Sequence, residues 1–164
     1  MKTLILMRHG KAQNDLSDPS ITDFDRKLSE RGKSDVKEMG KRISKRGFKP
    51  DIIICSPAAR TFKTARIVAE ELGFNEKKIE TIANLYNADL EEVLSAIRAI
   101  DNNHDAALMV GHHPSFTGMI GYLSKSFIEH LPTGGYAVFT FDTGNWQAIS
   151  KQSGKLETVE SPDK

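Results

Sequence analysis

The chain has 164 residues, 23 Lys plus Arg against 22 Asp plus Glu, and a formal net charge of +1. That length predicts a single domain, residues 1–164, able to bury a core without disulfides or a structural metal, and the balanced charge argues against nucleic acid or an anionic membrane as partner. The single cysteine, Cys55, excludes an internal disulfide framework and any multi-cysteine zinc site, as expected for a cytoplasmic protein.

The apolar run in TLILM, residues 3–7, predicts a strand buried on both faces. It ends in Arg8, His9 and Gly10, too soon for a signal-peptide core, and no other stretch approaches the ~20 apolar residues of a membrane span. Residues 9–27 lack periodicity and read as a long loop. Ser29 then caps a helix whose stripe is Gly32, Val36, Met39 and Ile43, with Gly47 just past its end.

Asp51–Cys55 is the next buried strand, with Ser56 and Pro57 placed as N-cap and first residue of a following helix. Ala58, Phe62, Ala65, Val68 and Leu72 keep helical spacing until Gly73. A short strand is expected within 79–86, then a helix over 90–100 with Asp89 and Glu92 at capping-box spacing. Residues 106–111 form a strand running into His112, His113 and Pro114, followed by a helix carrying Phe116, Met119, Ile120 and Leu123. Strands near Tyr136–Phe141 and Trp146–Ile149 close the fold, and the last dozen or so polar residues are expected to be peripheral.

Strands alternating with helices define an α/β class, a three-layer α/β/α sandwich around a mainly parallel sheet with an antiparallel edge. In such sheets ligands bind beyond the carboxyl ends of the strands, where helix N-termini present free N–H groups. Arg8 and His9 end the first strand, Arg60 lies in the opening turn after the second, and His112 ends the 106–111 strand. One rim therefore gathers two guanidiniums and two imidazoles, a set suited to phosphate: guanidinium forks match its oxygens, and a neutral histidine can present a ring nitrogen to phosphorus.

Four ordered segments, LMRHGKA, DRKLSERG, CSPAARTFKTA and LMVGHHPSFTGMI, resemble the histidine phosphatase (phosphoglycerate-mutase-like) superfamily, and within it the short phosphohistidine phosphatases of the SixA type. The resemblance implies that His9 is the nucleophile that becomes phosphorylated, that Arg8 and Arg60 grip the phosphoryl oxygens, and that His112 completes the pocket. It implies no metal and no cofactor. Arg8 and Arg60 nearby should keep His9 neutral. Larger members of the superfamily carry a carboxylic general acid where this chain reads Leu85, Tyr86, Asn87. An alkoxide needs that proton more than a departing imidazole does. The expected substrate is therefore a phosphohistidine on a protein, such as a phosphotransfer domain, with a small phosphate ester, or mere phosphate binding, as the alternatives.

Other residues have plainer readings. Asp89 is a helix cap and Glu91 a solvated charge before either is a stand-in acid, Lys11 and Asn14 are solvent-facing loop residues, and His113 packs beside Pro114. His104 and His130 sit in polar loops. Cys55 and Arg60 have four intervening residues instead of the five of a cysteine phosphatase, and the GKS at Gly32–Ser34 lacks its P-loop glycine because Lys27 occupies that position.

Overall fold

A computed structural model describes residues 1–14 and 18–163, so part of the 9–27 loop lies outside the described residues. Six strands form one sheet: β1 (Lys2–Arg8), β2 (Ile52–Cys55), β3 (Glu80–Thr81), β4 (Ala106–Gly111), β5 (Tyr136–Phe141) and β6 (Gly154–Glu160), in the order β3-β2-β4-β1-β5-β6. β1 lies at the centre, parallel to β4 with Arg8 opposite Gly111, and antiparallel to β5. β2 is parallel to both β3 and β4, and β6 is antiparallel to β5.

Alternate side chains of the same strands feed two cores, as the two-residue pleat requires. Leu4, Leu6, Ile54 and Met109 meet α3 (Leu90–Arg98) and α4 (Ser115–Leu123) through Val93, Ile97, Phe116 and Ile120. Ile5, Met7, Ile53 and Leu108 meet α1 (Glu30–Lys45) and α2 (Ala59–Leu72) through Val36, Met39, Ala65 and Val68. The result is the expected α/β/α sandwich, its central strands apolar throughout because both faces are covered.

The helix signals hold at α1, where Ser29 accepts from Gly32 N, and at α3, where Asp89 and Glu92 complete a capping box. Gly73 closes α2 at φ +67°, in the left-handed region favoured by glycine. The short strand expected within 79–86 is Glu80–Thr81, followed by a 3₁₀ turn at Ala83–Leu85. Two expectations need correction. α2 starts at Ala59 after Ala58, and the Ser56 hydroxyl meets His112 Nε2.

Trp146–Ala148 is also a 3₁₀ turn, capped by Asn145, and Trp146 is buried with its indole N–H donated to the His104 carbonyl at 2.7 Å. The final strand falls instead at Gly154–Glu160, within the polar tail, where one flank is an open edge and polar side chains are solvated. Among the described residues, no helix is long and apolar enough to cross a membrane.

Candidate active site

The register of β1 against β4 carries Arg8 and His9 to the same sheet end as Gly111 and His112, and α2 brings Arg60 to that end one residue inside its start. His9, Arg60 and His112 are only 7%, 6% and 8% exposed. Arg60 Nε donates to His9 Nε2 at 3.4 Å, and Arg60 Nη2 lies 3.5 Å from His112 Nδ1. The two imidazole centroids are 5.3 Å apart. Arg8, His9, Arg60 and His112 all line one hollow of about 420 Å³, together with Arg26, Asn87, His113 and Ser115. The four residues that the sequence places on one rim are thus brought together.

Hydrogen bonds orient the imidazoles. His9 Nδ1 lies 2.7 Å from the Gly10 carbonyl, which can only accept, so Nδ1 carries the proton and Nε2 keeps its lone pair. His112 Nε2 lies 2.9 Å from Ser56 Oγ. With Arg60 donating to Nδ1, the Nε2–H of His112 donates to that serine. Burial, foremost, lowers the His9 pKa to about 3; the Gly10 contact opposes this, while His112, Arg60 and Arg8 add smaller downward pushes. The expected neutral His9 therefore owes more to desolvation than to the arginines named from the sequence. His112 is lowered to about 4, again by burial first and Arg60 second.

Arg60 is held from the opposite side. Its Nη1 donates to the Asp23 carbonyl at 2.7 Å, its Nη2 to Asp23 Oδ2 at 3.1 Å, and Tyr86 donates its hydroxyl to the same Oδ2 at 2.7 Å. Burial works against ionising Asp23, but the bonds from Tyr86 and Arg60 prevail and hold its pKa below the ordinary value. Arg8 donates through Nη1 to the Leu131 carbonyl at 2.9 Å, while its buried Nε, like that of Arg26, has no acceptor among the described residues. Buried guanidinium N–H groups without protein partners suit an anion.

Sequence reasoning missed Arg26, Ser56, Asp23 and Tyr86. The DRKLSERG segment contains Arg26, but nothing local shows that its loop folds back over the β1 end. Asp89 remains an N-cap and Glu91 is exposed. Lys11 lines a separate hollow beside Arg31 and Asp35, and Asn14 is exposed. Cys55 is buried, its thiol pushed up to about 12 by desolvation, which suits packing and not nucleophilic attack. Among the described residues, no three His, Cys, Asp or Glu side chains are arranged to hold a metal ion.

Residues 4–94, containing Arg8, His9 and Arg60, match the histidine phosphatase superfamily (branch 1), and the chain belongs to that family. It is accordingly a hydrolase of the phosphatase class. The chain is similar to a candidate phosphohistidine phosphatase SixA from Agrobacterium tumefaciens at 26% identity, covering 98% of this chain and 99% of that one with a TM-score of 0.80. A SixA from Nakamurella multipartitia, also a candidate phosphohistidine phosphatase, gives a TM-score of 0.84 at 23% identity over 98% and 96% of the two chains, and shares the fold. An uncharacterized protein of Mycobacterium leprae is 28% identical over 95% of this chain and 99% of its own length.

Proposed function

We propose that this protein is a phosphatase that needs no metal ion, works through a phosphohistidine formed on His9, and acts on phosphohistidine carried by another protein. The observation that supports it most directly is His9 Nε2, the unprotonated nitrogen of a neutral, buried imidazole in a hollow ringed by Arg8, Arg60 and His112. Its long 3.4 Å bond from Arg60 Nε yields when that guanidinium turns to phosphoryl oxygens.

In the first step the His9 Nε2 lone pair forms a bond to phosphorus in line with the departing nitrogen, whose bond to phosphorus breaks. Arg8 and Arg60 hold the equatorial oxygens, a preorganised positive frame that takes the role a metal has in other phosphoryl-transfer sites. Water then attacks phosphorus, the bond to His9 breaks, and phosphate leaves. Among the described residues no carboxylate lines the hollow, which favours a leaving imidazole over an alkoxide. A cytoplasmic setting fits the lone, buried, reduced Cys55.

The test is rapid quench with a labelled phosphohistidine protein in the presence of chelator. An acid-labile, alkali-stable phosphoenzyme that disappears in His9→Ala supports the reading, and turnover unaffected by that substitution overturns it. A parallel panel of sugar phosphates ranks small esters as substrates, and retention of phosphate without turnover would leave only the binding-module alternative.

A further inference from the structure

The hollow contains one imidazole that the mechanism above does not use. His113 lines it beside His112, yet is exposed where the other two site histidines are buried. Its Nδ1 lies 2.9 Å from Thr117 Oγ1, and that oxygen also accepts from the Leu131 N–H at 3.0 Å. A hydroxyl has one proton and two lone pairs, so Thr117 Oγ1 can donate to Nδ1 of a neutral His113 and accept from Nδ1–H of its imidazolium. Nε2 is the polar ring atom left over for proton transfer.

The other titratable lining groups are unsuited to giving up a proton. Arg8, Arg26 and Arg60 are guanidiniums, which do not act as acids in this pH range. His9 is the nucleophile, and His112 is tied between Arg60 and Ser56. Asp23 is engaged by Arg60 and Tyr86 and does not line the hollow.

We infer that His113 is the proton donor to the leaving group, a catalytic residue in place of an absent carboxylic acid. The inference rests on the phosphatase reading above. As His9 Nε2 bonds to phosphorus, the leaving nitrogen or oxygen takes the electron pair of its broken bond together with the Nε2 proton of imidazolium His113, which becomes neutral. In the second step neutral His113 takes a proton from the attacking water, and the electron pair of the phosphorus–nitrogen bond returns to His9. Both histidines end as they began.

Three influences bear on His113 charging. Partial burial, Arg8 on β1 and His130 in the segment before β5 all disfavour its imidazolium in the free site. A phosphoryl dianion held by the arginines supplies the opposite charge, so the donor is loaded when substrate is present.

The experiment compares His113→Gln and His113→Asn with the unmodified protein on phenyl phosphate and 2,4-dinitrophenyl phosphate. Dinitrophenolate leaves without a proton, whereas phenolate gains from one. The expected result is a fall in kcat/KM of about 100-fold or more on phenyl phosphate and a fall of less than about threefold on the dinitrophenyl ester, which also reports that the variants are folded. Equal losses on both esters, or none on either, would overturn the assignment of His113 while leaving the phosphoenzyme on His9 intact. Failure of the unmodified protein to turn over either ester would overturn the assignment of His113 as proton donor, while the phosphoenzyme on His9 stands or falls by the rapid-quench test with phosphohistidine protein.

Discussion

Ser56 Oγ stands 2.9 Å from His112 Nε2 and also accepts from Ala58 N at 3.3 Å. A serine placed to cap a helix instead fixes a ring, leaving the start of α2 without a side-chain cap. Ser56→Ala should lower kcat about three- to tenfold, matching the loss of one buried hydrogen bond of ~1 kcal/mol, while α2 keeps its limits. Steady-state kinetics beside circular dichroism checks both halves.

Arg60 makes its contacts in a fixed planar fork. Arg60→Lys keeps a charge but cannot hold the Asp23 carbonyl and carboxylate while also facing both imidazoles. Turnover should drop by about 100-fold or more, on the scale of removing one preorganised charge-stabilising group. A change within threefold would show that the fork is dispensable.

Asp23→Asn removes the charge from the loop side of Arg60 and weakens the acceptor for Tyr86. KM should rise more than kcat falls, because the guanidinium loses an orienting partner and not a reacting one. Tyr86→Phe should show a milder form of the same pattern in the same assay.

Acid should loosen the fold through the two buried imidazoles. Their folded pKa values, about 3 for His9 and about 4 for His112, lie below the ordinary value near 6.5. Between those limits the unfolded chain binds protons that the folded chain refuses, so stability falls as pH drops from about 6.5 and is insensitive to these groups above it. Urea midpoints measured from pH 7.5 to 4 should decline less steeply in a His9→Gln, His112→Gln double variant.

Gly32 lies where α1 crosses the chain leaving His9: a Cβ there would sit 2.1 Å from the Lys11 carbonyl oxygen. Gly32→Ala should destabilise the protein by about 3 kcal/mol, since rigid backbone must move. Thermal unfolding measures it, and a loss under 1 kcal/mol would show that the contact yields easily.

Much of this site was legible because each strand ends where its apolar run ends. Arg8, His9 and His112 follow uninterrupted buried strands, and Arg60 follows a strand and a turn, so the α/β/α rule alone places them on one rim. Ser29 and Asp89 were equally plain, since caps are local chemistry. Contacts made by chain folding back were not. Asp23 and Leu131 reach the site from loops 37 and 123 residues removed from their arginine partners, Tyr86 lies 63 residues from its partner Asp23, and none leaves a periodic mark. The last strand was misplaced because Trp146 resembles a strand residue, whereas Asn145 and the indole's bond to His104 favour a tight turn.

The position of β1 between β4 and β5 has a consequence for biosynthesis. Of the six strands, the one leading into His9 leaves the ribosome first, yet its two neighbours are made roughly a hundred residues later. A nascent chain halted before Tyr136 therefore bears an apolar ribbon with an unsatisfied flank, the kind of surface that invites chaperones or self-association. The site is complete only after Leu131 and Gly134 have been made and close upon Arg8 and His9.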